Sequence, residues 1–166
     1  MKTSMILFSA LFSMTVSASE ATLTQFFKAL QGSWHGQNQV NSQDGIAFYD
    51  LDLLFTATQR GVWSAKNTEI DRSTPGAVYV TYAGLHVDGN QLSISGPDGS
   101  LKTVQVTTTT PTSLVYSVEA LDPNANLMDT ITSQMDIDLH GTLHGHDVSL
   151  DGNGKTISDE TFTLNR

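Results

Sequence analysis

The residue types best suited to chemistry gather in one stretch. His140, His144 and His146 lie within LHGTLHGH, and His144 and His146 are two apart, so both fall on one face of an extended strand. His140 shares that face if the strand runs on unbent, and Asp136 and Asp138 precede with the same parity. Imidazole and carboxylate together hold zinc, copper or nickel. His140, His144 and His146 are therefore the candidate set for a divalent metal. A solvated outer face is the competing reading, and Gly141 and Gly145 offer a turn that would break the parity.

Other constellations point away from catalysis. Asp50 and Asp52 are a carboxylate pair on one strand face, but such a pair acts as acid and base only inside a cleft. Solvent-facing alternation accounts for them. The stretch from Asp147 to Gly154 (DVSLDGNG) has the flavour of a calcium loop without its ligand order or closing Glu, and reads as a hairpin turn. There is no Gly-x-Ser-x-Gly elbow, His-Glu-x-x-His helix, Walker loop or Gly-x-Gly-x-x-Gly turn. The absence of cysteine removes thiol nucleophiles, zinc–thiolate sites, iron–sulfur clusters and disulfides. No catalytic residue is assigned, and an enzyme is not expected.

Charge narrows the partners. The 166 residues carry 8 Lys+Arg against 17 Asp+Glu, a net charge of −9. No basic stripe exists to hold phosphates, so nucleic acid and polybasic contact with a membrane surface are not expected. An acidic surface would steer a basic protein partner instead.

Residues 1–18 (MKTSMILFSALFSMTVSA) have a positive start at Lys2, a short apolar run and a small-residue end at Val16, Ser17 and Ala18, the pattern of a cleaved secretory signal. The run is too short and too interrupted by Ser and Thr to span a bilayer of about 20 helical residues. This predicts a secreted or periplasmic protein whose single domain is 19–166. With no disulfide available to it, such a domain needs a good core and fully paired strands.

The elements that must position any site follow from periodicity. A short helix is predicted with Thr22 or Thr24 as cap, Leu23, Phe26, Phe27 and Leu30 on one face, and Gly32 as its end. Beyond it, runs rich in Val, Ile, Thr, Tyr and Phe alternate with turn signals. Asp-Gly occurs at 44–45, 88–89, 98–99 and 151–152, and Gly or Pro breaks fall near 60–61, 75–76, 110–111 and 122–123. The strands predicted are 33–41, 46–57, 62–70, 77–87, 91–95, 101–109, 113–121, 128–139, 142–150 and 156–164. The second shows the logic: Tyr49, Leu51, Leu53 and Phe55 share one face, with Asp50 and Asp52 on the other. In the eighth, Ile131, Met135, Ile137 and Leu139 share a face. The fold class is all-β, an up-and-down antiparallel barrel of about ten strands with one short N-terminal helix. A β-sandwich with Trp34 as an ordinary core aromatic is the competing architecture.

A short helix followed by Gly32-Ser33-Trp34 on the first strand resembles the calycin superfamily, the lipocalin-like barrels. The wider pattern, Gly32-x-Trp34-x-Gly36, a long second strand with Phe48, Tyr49, Asp50 and Asp52, and Trp63 following Gly61, is similar to nitrobindin-like and other bacterial lipocalin-like domains. The resemblance implies that Trp34 plugs the closed end of the barrel against an Arg, either Arg166 on the last strand or Arg60. It also implies a lumen open at the other end for a small apolar or amphiphilic molecule. The lining expected is Tyr49, Leu51, Leu53, Phe55, Ile131, Met135 and Ile137. Nitrobindin-like barrels further imply haem on a single His, for which His35, His86, His140, His144 and His146 are the candidates. Avidins share the Gly-x-Trp start but line a biotin site with several Trp, whereas only Trp34 and Trp63 exist here.

Two functions are thus expected in turn: an exported, non-catalytic carrier with its ligand in the lumen, or a secreted protein-binding or inhibitor module that uses its acidic surface and the loops at 71–77 and 122–128. A haem-binding barrel is the third.

Overall fold

The computed structural model of the protein describes residues 18–95, 101–122 and 127–166. Most of the leader-like segment, the Asp98-Gly99 turn and the centre of the 122–128 loop lie outside the described residues. One helix, α1 (Glu20–Leu30), precedes ten strands: β1 (Gly32–Ser42), β2 (Gly45–Gln59), β3 (Val62–Asp71), β4 (Val78–Asp88), β5 (Gln91–Ser95), β6 (Leu101–Thr109), β7 (Ser113–Asp122), β8 (Leu127–Ile137), β9 (Leu143–Leu150) and β10 (Thr156–Asn165). Each strand pairs antiparallel with its neighbour in sequence, and β1 pairs with β10 from His35↔Asn165 to Ser42↔Ser158, closing the barrel. Closure leaves no edge strand, which meets the need of a cysteine-free domain. Among the described residues no helix is long and apolar enough to cross a membrane.

Period-two alternation sets which side chains enter the barrel. On β2, Leu51, Leu53 and Phe55 are buried while Asp50, Asp52 and Leu54 face out. The same count runs around the wall through Trp34 on β1, Trp63 on β3, Leu85 on β4, Leu114 on β7, Leu143 on β9 and Leu164 on β10, all buried.

The hairpins fall alternately at two ends. α1 and the hairpins around 60, 89, 111 and 140 make the closed end. There Leu23, Phe26, Phe27 and Leu30 of α1 are fully buried. Phe27 stacks on Phe55 at 5.7 Å between ring centroids and lies 5.0 Å from Trp63. Trp34 is the plug. Its Nε1–H donates to the Leu30 carbonyl at 2.6 Å. The Arg166 guanidinium sits 4.7 Å from its ring centroid and donates to the Ala29 carbonyl, so Arg166 rather than Arg60 is the partner.

Gly36 explains the third member of the Gly32-x-Trp34-x-Gly36 pattern. It faces the lumen between Leu51 and Leu164, and a Cβ there would overlap the Thr163 carbonyl, so the missing side chain allows β1 and β10 to close tightly. Two sequence expectations need correction. The cap of α1 is Ser19, whose Oγ accepts from the Thr22 N–H at 3.1 Å, rather than Thr22 or Thr24. Leu139 is fully exposed in the turn after β8, because Asp138 accepts the N–H groups of His140 and Thr142 and turns the chain two residues earlier than its alternation implied.

Candidate functional site

Above the plug, the inward positions change character along the barrel. The deeper part is apolar. Leu51, Leu53 and Phe55 of β2, Met135 of β8 and Phe162 of β10, with Leu30 of α1 as floor, border a cavity of about 160 Å³. Gly145 on β9 adds to the room, since the Phe162 ring occupies the place a Cβ would take. Asn67, Tyr116, Ser133 and Asp147 form the polar part of its wall.

From Asp147 toward the open end the lumen becomes acidic. Glu160 is the cross-strand partner of Asp147, and Glu69 is opposite Leu51. Asn38, only 1% exposed, connects them: its Nδ2–H₂ donates to Glu160 Oε1 at 2.6 Å and to Glu69 Oε1 at 3.4 Å. Its Oδ1 and the Oδ1 of Asp147 are buried and have no protein partner. Carboxylates this far from water favour their neutral form. Glu160 is pushed up to about 7, first by burial and then by the charge of Asp147, against the Asn38 bond that holds it down. Burial also raises Asp147 and Glu69, with Ser133 and Asn38 respectively offsetting part of the rise. The Tyr116 hydroxyl is pushed up to about 12 by burial, so it stays a neutral donor. One step further out, Tyr49 and Tyr79 meet edge to face at 6.4 Å beside Asp71.

The predicted lining divides accordingly. Leu51, Leu53, Phe55 and Met135 border the cavity. Tyr49 stands nearer the open end, Ile137 packs into the core beside Leu143 at the closed end, and Ile131 points inward but stays half-buried above Ser133. Asn38, Glu69 and Glu160 were not singled out from sequence, and Asp147 entered only as the start of a stretch read as a hairpin turn, whereas it lies within β9. Parity would have found them: Asn38 is in step with Trp34, Glu69 with Trp63, Asp147 with Leu143 and Glu160 with Leu164.

The histidines lie elsewhere. His144 and His146 sit on the outer face of β9, where His144 pairs with Asp138 at 3.3 Å and His146 with Asp159 at 3.0 Å, while His140 is in the turn. The His144 and His146 rings bind different aspartates, and among the described residues no three His, Asp or Glu side chains converge as a metal set. His35 pairs with Asp52 at 2.7 Å on the outside, and His86 takes the outward parity of β4. No imidazole enters the lumen, and the cavity is far smaller than a porphyrin, so the residues present do not fit haem there. A wider groove of about 1010 Å³ runs outside the closed end between α1 and the 57–61 segment, but it is open to solvent and gathers no comparable cluster.

The sequence matches no family model and no curated protein. Solved structures share its barrel. The S-type phycobiliprotein lyase CPES from Guillardia theta superposes with a TM-score of 0.64 at 9% identity, over 87% of this chain and 92% of the lyase. A protein of unknown function from the DUF3598 family of Nostoc punctiforme does so with a TM-score of 0.59 at 15% identity, over 84% of this chain and 48% of its own. At such identities the likeness is one of fold.

Proposed function

We propose that the protein binds a small amphiphilic molecule in the lumen, apolar part toward the plug and polar part toward Asn38, Asp147 and Glu160, and that it does so as an exported, non-catalytic carrier. The observation that carries this reading is the cavity of about 160 Å³ inside the wall, aliphatic and aromatic on one side and polar on the other. Its size sets the scale of the ligand, because an apolar cavity of about 150 Å³ takes up benzene. A single ring or a short chain fits without rearrangement. The export part rests on residues 1–18, and the expectation of no catalysis on the lack of a recognised catalytic motif in the sequence.

The test is saturable uptake of a single-ring probe such as 2-phenylethanol, followed by calorimetry and thermal shift. Ala83→Phe, which fills the cavity from β4, should abolish uptake with the circular dichroism spectrum intact. No uptake by the wild-type protein would overturn the reading. Mass spectrometry of the protein recovered from its host culture supernatant or periplasm checks export: it should start at Ser19.

A further inference from the structure

The acidic half of the lumen is short of hydrogen-bond donors. Three carboxyl groups, Glu69, Asp147 and Glu160, and the Asn38 amide face one another from β3, β9, β10 and β1. The donors that reach them are the Asn38 Nδ2–H₂ and the hydroxyl of Ser133, itself beside Tyr116. Two acceptors, Asn38 Oδ1 and Asp147 Oδ1, remain with nothing to accept. Among the described residues no Lys or Arg relieves this: Lys28, Arg60, Arg72, Lys102, Lys155 and Arg166 are exposed, and Lys66 takes the outward parity of β3. Buried acceptors left unpaired are costly, and buried like charges more so. The group that resolves both at once is a cation with several N–H donors.

We infer that the lumen selects protonated amines: an ammonium group received by Asp147, Glu160 and the Asn38 carbonyl, carried on a compact apolar body that fills the cavity beside Leu51, Phe55 and Met135. This deepens the lumen-binding reading and rests on it. Asp147 is what joins the two halves, since it borders the cavity and is the cross-strand partner of Glu160. An aliphatic or benzylic amine can therefore place its nitrogen among the acceptors with its carbon skeleton toward the plug. A neutral ligand leaves the carboxyl groups to compensate by holding a proton, and an anion adds a fourth negative group to three.

Proton and amine then compete for the same oxygens. The groups facing Glu160 are Asp147 from β9, Glu69 from β3, the neutral Asn38 from β1 and Tyr49 from β2 with Asp71 beyond it, with Tyr116 behind Ser133 and His146 on the outer face beside Asp147. As pH rises from 5 to 8 the Glu160 proton leaves and the ammonium, still charged, takes its place. Amine affinity should rise across that range.

The experiment compares three probes of one shape by calorimetry: 2-phenylethylamine, 2-phenylethanol and phenylacetate. The amine should bind about ten- to a hundredfold more tightly than the alcohol at pH 7.5, the range expected of charge-assisted bonds, with phenylacetate weakest. Asp147→Asn and Glu160→Gln should each lower amine affinity more than alcohol affinity and flatten the pH dependence of amine binding. Both remove a buried charge, and an unchanged circular dichroism spectrum shows that the variant is folded. Equal affinity for amine and alcohol, or tightest binding of phenylacetate, overturns the inference and leaves the lumen reading standing. Failure of all three probes to bind overturns both.

Discussion

The two halves of the barrel solve opposite problems with the same alternation. At the closed end the inward positions are almost all apolar, the large rings pack on one another, and the Trp34 indole has both a backbone acceptor and a cation over its face, although Trp63 Nε1 and Thr109 Oγ1 are buried there without a partner. In the open half the inward positions hold Asn38, Glu69, Asp147 and Glu160, with two acceptors unmatched. Burial of that kind works against folding unless something else offsets it. The contrast teaches that the two halves differ in what they contribute to folding: the closed end holds the barrel together, and the acidic half works against it unless, as proposed, a ligand offsets the cost.

The largest expected effect breaks the first half. Trp34→Ala empties a fully buried site and should cost about 3–5 kcal/mol in denaturant unfolding, with affinity for a lumen ligand little changed in the molecules that stay folded. Loss of binding in parallel with no loss of stability would erase the division between the halves.

The second effect comes from the acidic half. Glu160 has its folded pKa raised to about 7, so between the unfolded value near 4.3 and that figure the folded state binds the extra proton, and stability falls as pH rises. The fall should be on the order of 2–3 kcal/mol between pH 4.5 and 7.5, with Asp147 and Glu69 adding in the same direction, and Glu160→Gln should flatten it. Asp71, Asp138 and Asp151 pull the other way below pH 4, because Ser73, Thr142 and Lys155 bond their ionised forms. Maximum thermal stability is thus expected in mildly acidic buffer. A profile that rises steadily to pH 8 would show that the carboxyls are not buried as described.

Gly145→Ala sharpens the boundary between the halves. The added methyl must push the Phe162 ring into the cavity, at a cost of about 1–2 kcal/mol, and should weaken uptake of the single-ring probe by filling its space. The smallest effect is that of His35→Ala. His35 neighbours Trp34 in sequence but points to water and pairs only with exposed Asp52, so its removal should shift stability by less than about 0.5 kcal/mol. Similar melting temperatures for Trp34→Ala and His35→Ala would remove the plug from the account altogether.

The wall of this barrel was legible because each device that builds it is local. Asp-Gly and Pro breaks mark the hairpins, and alternation such as that of Leu51, Leu53 and Phe55 marks the inner face, so ten strands fall where they were expected with ends displaced by one or two residues. Leu139 misled for the same reason: the alternation of Met135 and Ile137 runs one step past the strand, and only the Asp138 side chain ends it. The apolar wall of the cavity, Leu51, Leu53, Phe55 and Met135, followed from these rules as well. The acidic half did not, because a carboxylate in a strand is normally read as facing water, which holds for Asp50 and Asp52 but fails for Asp147 and Glu160. Only counting parity from a fixed point such as Trp34 separates the two cases. The histidine cluster drew attention by composition, yet its spacing places His144 and His146 on the outer face of β9, each bound to a different aspartate.

The pairing of β1 with β10 also dictates an order of events. The bond from Asn38 to Glu160 joins residues 122 positions apart, and that from Arg166 to Ala29 joins residues 137 apart, so neither exists until nearly the whole domain has left the ribosome. Until then β1 has β2 on one side and an open edge on the other, a template for pairing with another chain. Contacts this distant in sequence make for slow folding, and here they include both the lock on the plug and the bridge across the acidic lumen. Joining residue 166 to residue 19 through a short linker and reopening the chain in the hairpin at 43–44 would make β1 and β10 sequence neighbours. Such a permutant moves the distant closure from β1–β10 to β1–β2, so it should reach the same barrel at a comparable rate, with the Asn38–Glu160 bridge and the Arg166 contact forming early instead of last.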